Sequence, residues 1–146
     1  MHRKTQNYSP VLCTEHLPNW YQLADSPMIM IAQLKTLSIN QGYCFIKKKG
    51  FYHKIYIEDI LYMKADGDYA IIYTSNGQFY NSNSLNALEL LFESNSFCRI
   101  HRSYLINIKK IISINIKESR ITIGVHSIPI SRTIKGAFLK KLILID

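Results

Sequence analysis

The densest group of side chains able to do chemistry is Arg99-Ile100-His101-Arg102-Ser103, followed directly by Tyr104-Leu105-Ile106-Asn107. Guanidinium groups carry rigid forks of donors that match phosphate oxygens or the O6/N7 edge of guanine. Histidine and serine can add hydrogen bonds to phosphate. A second cluster, Ser131-Arg132-Thr133, precedes a closing helical turn, whose first backbone N–H groups would favour an anion. The third candidate is the loop Asp66-Gly67-Asp68-Tyr69, which would present Tyr69 or a backbone group.

Catalytic readings of these residues lack their partners. His101 and Ser103 lie two apart, yet no GxSxG elbow precedes a helix and no acid lies close in sequence. Asp66 and Asp68 flank a glycine, as turn residues do. Cys98 and His101 have no second pair at zinc-ligand spacing. Neither a Gly-rich phosphate loop nor a dinucleotide fingerprint is present. The expectation is therefore no enzyme, no metal, no cofactor and no small-molecule substrate. Taken singly, Arg102 or Arg132 reads as a surface or structural arginine, and Ser103 and Asn107 suit turn caps.

The charge distribution favours binding. The 146 residues carry a net charge of +8, but residues 1–42 hold only Arg3, Lys4 and Lys35 against Glu15 and Asp25. Between 97 and 141 stand ten basic residues, Lys109 and Lys135 among them, with Glu118 as the only acid. A solvated surface normally mixes both signs, so a polyanion-binding face is expected, its affinity coming from counterion release. A hydrophobic content of 47% excludes a largely disordered chain. Cys13, Cys44 and Cys98 form no CxxC pair and fit no disulfide framework. No secretory signal or membrane-length apolar run is seen, so a cytoplasmic location without membrane association is expected.

These residues need elements to position them. Residues 1–42 read as an N-terminal tail with one short helix over 28–37, and residues 43–146 as the domain. Strands are predicted at Cys44–Lys49, Tyr52–Ile57, Ile60–Ala65 and Tyr69–Thr74, with Asn76-Gly77 turning into Gln78–Asn81. Leu85, Leu88, Leu91 and Phe92 recur at helical spacing, with Asn83 or Ser84 as N-cap. Strict alternation then places Ile112, Ile114, Ile116, Ile121, Ile123, Val125, Ile128 and Ile130 on a core face. Ile134, Phe138 and Leu142 close the chain at helical spacing. The Arg99–Ser103 run falls on a connecting segment in this reading. The fold class is mainly β: a small elongated antiparallel sheet or sandwich of about seven to nine strands, with one or two short helices.

Three runs in this order resemble the LytTR DNA-binding domain: Ile60–Tyr69, Phe97–Asn107 and Ile128–Arg132, with the Leu-rich helix between the first two. Together they cover about residues 44–142, and the middle run is the specific one. The resemblance implies a mostly β domain that binds double-stranded DNA through loops entering successive major grooves over tandem sites. Carried over by position, it implies base reading by Arg132, Arg102 and Tyr69. It also implies phosphate contacts by His101, Arg99, Ser131, Lys135 and Lys109, and a transcriptional regulator acting as a homodimer on repeated half-sites. Such domains commonly follow a receiver domain, which 42 residues cannot make. Two other readings stay open: an RNA-binding β-domain using its tyrosines, and an accessory protein whose basic face meets an acidic partner.

Overall fold

The computed structural model describes residues 42–93 and 96–146. The tail and helix expected before residue 42 lie outside the described residues. Within them the chain forms β1 (Tyr43–Lys48), β2 (Phe51–Tyr56), β3 (Ile60–Asp66), β4 (Tyr69–Thr74) and β5 (Gly77–Asn81). Helix α1 (Leu85–Leu91) follows, then β6 (Phe97–His101), β7 (Tyr104–Asn107), β8 (Ile111–Asn115), β9 (Arg120–Ile123), β10 (His126–Pro129) and α2 (Arg132–Leu139). The architecture is mainly β, as the patterning predicts.

Among the described residues ten strands make three antiparallel sheets. The central one has the order β5-β4-β3-β7-β6; β1 and β2 form a separate hairpin, and β10-β9-β8 form a three-stranded sheet. Period-two alternation gives the central sheet two apolar faces. On one face Ile60, Met63, Ala70, Ile72 and Leu105 pack with Ile46, Ile57 and the α1 residues Leu85, Leu88 and the following Phe92. On the other, Tyr62, Cys98, Ile100 and Ile106 pack with Ile121, Ile123, Ile128, Ile130 and Phe138 of α2. The central sheet is thus the shared wall of two cores.

Two of the turns fall one residue earlier than the sequence pattern suggests. Lys48 pairs with Phe51, so the first hairpin turns at Lys49-Gly50, and both residues have positive φ (51° and 84°). A right-handed strand twist favours such turns, and glycine tolerates them without a Cβ penalty. Thr74 pairs with Gly77, which puts the next loop at Ser75-Asn76 rather than Asn76-Gly77. Thr74 Oγ1 secures it, donating to the Gly77 carbonyl at 2.9 Å and accepting from Asn76 N at 3.2 Å.

Three positions expected on the apolar face, Ile112, Ile116 and Val125, are exposed instead, each for its own local reason. The β8–β9 ladder shifts between Ile111 and Ser113, so Ile112 bulges out and is 67% exposed. A one-residue slip moves every following side chain to the other face. Ile111 and Ile114 consequently pack inward, while Ile116, beyond the strand end, is exposed. Val125 occupies the two-residue loop after Ile123, beside Gly124 at φ 59°, and lies open to solvent.

Buried polar groups are partnered. Asn107 is 2% exposed; its amide donates to the Ile60 carbonyl at 2.9 Å, and its Oδ1 accepts from Lys109 N at 3.1 Å. Tyr62 is 5% exposed and stacks on Tyr73 at 4.5 Å. Burial first, then the neighbouring Tyr73 and Tyr104, push its phenol up to about 12. Desolvation likewise lifts the Cys44 thiol to about 11. Cys44 and Cys98 are free thiols, and no described helix is long and apolar enough to cross a membrane.

Candidate nucleic-acid interface

The Arg99–Ser103 run is not a connecting segment. Arg99 and His101 belong to β6, and only Arg102-Ser103 form the turn into β7. The hairpin is irregular where chemistry concentrates: Arg99 pairs with Leu105, but His101 pairs with Tyr104, so Ile100 is bulged. A bulge leaves a backbone group outside its ladder and re-aims the side chains after it. The Ile100 carbonyl accepts from Ser131 N at 2.8 Å instead, joining the start of α2 to the end of β6.

A second hydrogen bond brings in the remaining loop. Lys64 of β3 lies opposite Tyr104, and Ala65 N donates to the Ser103 carbonyl at 2.9 Å. Because β3 and β7 are antiparallel, the β3–β4 turn and the β6–β7 turn fall at the same end of the central sheet. Tyr69 opens β4 there, opposite Asp66, and is 56% exposed. Arg102 and Arg132 are exposed as well. The three residues expected to read bases therefore converge on one end of the sheet from three distant stretches of sequence.

His101 ends β6 at the same turn. Its Nδ1 accepts from Ser103 N at 3.1 Å, so in the neutral ring the hydrogen sits on Nε2. Tyr104 packs edge-on against the imidazole at 5.7 Å and itself lies 6.1 Å from Tyr62, tying the histidine to the core. Ser131 is the N-cap residue of α2, but its hydroxyl contacts Thr133 Oγ1 at 2.9 Å rather than a backbone amide. The Lys135 ammonium donates to the Ile116 carbonyl and to Ser119 Oγ at 2.9 Å. An ammonium has three donors, so one stays available for a phosphate.

Two expected phosphate ligands are placed differently. Lys109 follows β7 at its other end, beside Asn107 and opposite to Arg102. Arg99 faces α1 rather than solvent: Nη1 reaches Glu89 Oε2 at 2.9 Å and Asn86 Oδ1 at 3.0 Å. Its Nε donates to the His101 carbonyl at 2.8 Å and its Nη2 to the Arg102 carbonyl. Sequence reasoning overlooked Asn86 and Glu89, because their partner stands 10 to 13 residues away on another element. The alternation that puts Phe97 and Arg99 on the α1 face was the one available signal. It also overlooked Arg120, which spans to Ser127 Oγ and its carbonyl, both at 2.6 Å. Among the described residues no three His, Cys, Asp or Glu side chains gather as metal ligands.

A heme-containing CO-sensing transcriptional regulator, RcoM 1 of Paraburkholderia xenovorans (strain LB400), is 26% identical over 92 residues. That match covers 60% of this chain but only 34% of the relative. A solved structure described as the LytTr DNA-binding domain of a methyl-accepting/DNA response regulator from Bacillus cereus shares the fold, with TM-score 0.60 and 19% identity. It aligns over 68% of this chain and 94% of that one. The family model of the LytTr DNA-binding domain matches residues 51–143, well over half of the chain and all three candidate clusters, and the protein belongs to that family of DNA-binding domains.

Proposed function

We propose that this protein is a transcriptional regulator that reads double-stranded DNA with the turns at one end of its central sheet. Arg132 and Arg102 enter successive major grooves and pair with base edges, and Tyr69 supplies a third contact. His101 Nε2, Ser131 and Lys135 hold phosphates and fix the register between those contacts. Two copies on repeated half-sites would double the reading frame, in the cytoplasm where the DNA lies.

The observation that supports this reading best is the convergence itself. Two backbone hydrogen bonds, Ala65 N to the Ser103 carbonyl and Ser131 N to the Ile100 carbonyl, tie three separate loops into one surface. Loops held to each other and to a rigid sheet keep a fixed spacing, as reading adjacent grooves requires.

The experiment is selection of bound sequences from a random duplex pool by the full chain, followed by titration of the enriched duplex. Enrichment of a repeated motif is expected. Arg132→Ala should then cost about 1–3 kcal/mol on the enriched duplex and relax its preference. Lys135→Ala should weaken enriched and random duplexes alike and reduce the salt slope by about one. A pool that enriches no sequence would overturn the reading.

A further inference from the structure

We infer that Arg99 is a positioning residue for base reading, held in that role by Asn86 and Glu89 of helix α1. The inference rests on the reading above, in which Arg102 meets base edges. Successive carbonyls in a regular strand point to opposite sides, yet those of His101 and Arg102 both accept from the Arg99 guanidinium. One planar fork thereby defines the backbone of the residue that carries the reading side chain. Its remaining edge is anchored to Asn86 and Glu89.

The ion pair with Glu89 and low exposure argue against Arg99 as a phosphate ligand. Arginine has five N–H donors, and four acceptors already engage it. The Glu89 carboxylate neutralises it and would repel a phosphate approaching from the same side. The Arg99 side chain is 17% exposed, against 44% for Glu89. Glu89 thus acts on DNA through Arg99 and the turn, from a helix that need not touch the duplex.

The test uses the full chain with two probes, a duplex enriched from a random pool by the wild type and a scrambled duplex of equal length. Glu89→Ala and Arg99→Gln should each lower the ratio of enriched to scrambled affinity about fivefold or more, without changing the salt slope. Loss of folded protein would scale both affinities together and leave that ratio untouched. Glu89→Gln keeps an acceptor for Nη1 and should restore most of the ratio, whereas Arg99→Lys should not, because a point charge cannot bridge four acceptors. The double variant Glu89→Ala/Arg99→Gln should read no worse than Arg99→Gln alone.

If Arg99→Gln instead flattens the salt slope by about one and weakens both duplexes equally, Arg99 is a phosphate ligand and the inference is wrong. It is also wrong if Glu89→Ala keeps the ratio within twofold while Arg132→Ala collapses it. That outcome would leave the DNA-reading proposal standing. A wild type that enriches no sequence defeats both. Should Arg99→Gln fail to fold, Glu89→Ala and Asn86→Ala, on the α1 surface, carry the same test.

Discussion

At the scale of single residues, this domain uses polar side chains to repair what its strands leave open. Asn107 is the clearest case, since a buried amide serves the Ile60 carbonyl beside the β3 register shift and caps the turn at Lys109. Asn107→Ala would strand a buried acceptor and a donor, and should destabilise the fold by roughly 1–3 kcal/mol. A lower urea midpoint at unchanged m-value is the expected signature. Asn107→Asp keeps the acceptor but sets a carboxylate against a carbonyl in a dry site, so its folded-state pKa must rise above the unfolded one. Its stability should therefore be best below about pH 4 and fall as pH increases. In the sequence Asn107 is legible only as a turn residue, because the 47-residue separation from Ile60 hides its second role.

Among elements, α1 links packing to recognition. It is short, seven residues, and short helices depend on their caps and contacts rather than on propensity. Ser84 Oγ accepts from Ala87 N at 3.2 Å, as the Ser84 reading of the N-cap requires. Ser84→Ala should cost about 1 kcal/mol of stability, measured by thermal or denaturant unfolding. Elements set by local chemistry were legible: the hairpins announced by glycine and asparagine, the leucine-spaced helix, and the alternating last third. Features set by a partner strand were not. The bulges at Ile112 and Ile100 arise from cross-strand register, which leaves no mark within either strand's own residues. The Arg99 run looked like a linker because its polar residues mask a strand buried on its alternate face, at Cys98 and Ile100. The residues proposed to read bases came from the resemblance, and their convergence became visible only with the topology.

For the described domain as a whole, charge and architecture divide the labour. Ten basic residues between 97 and 141 supply attraction, while the two cores on the central sheet supply rigidity. Binding to a scrambled duplex should weaken with salt at a log–log slope of roughly −3 to −5, as three to five neutralised phosphates imply. Lys109, at the far end of β7, is the control within the molecule. Lys109→Ala should leave that slope unchanged in a titration at several salt concentrations, and a change of about one would place the far end on DNA too. Since both cores share the sheet, neither can open without exposing the back of the other.

The exposure of Tyr69, Arg102 and Arg132 bears on how such a domain can diversify. None of the three contributes to either buried cluster, and exchanges at exposed positions usually shift stability by about 0.5 kcal/mol or less. If these three residues read bases as proposed, new operator preferences are accessible by single substitutions that the scaffold tolerates. Paralogous copies of one gene could drift apart in target while their interiors stay under the same selection.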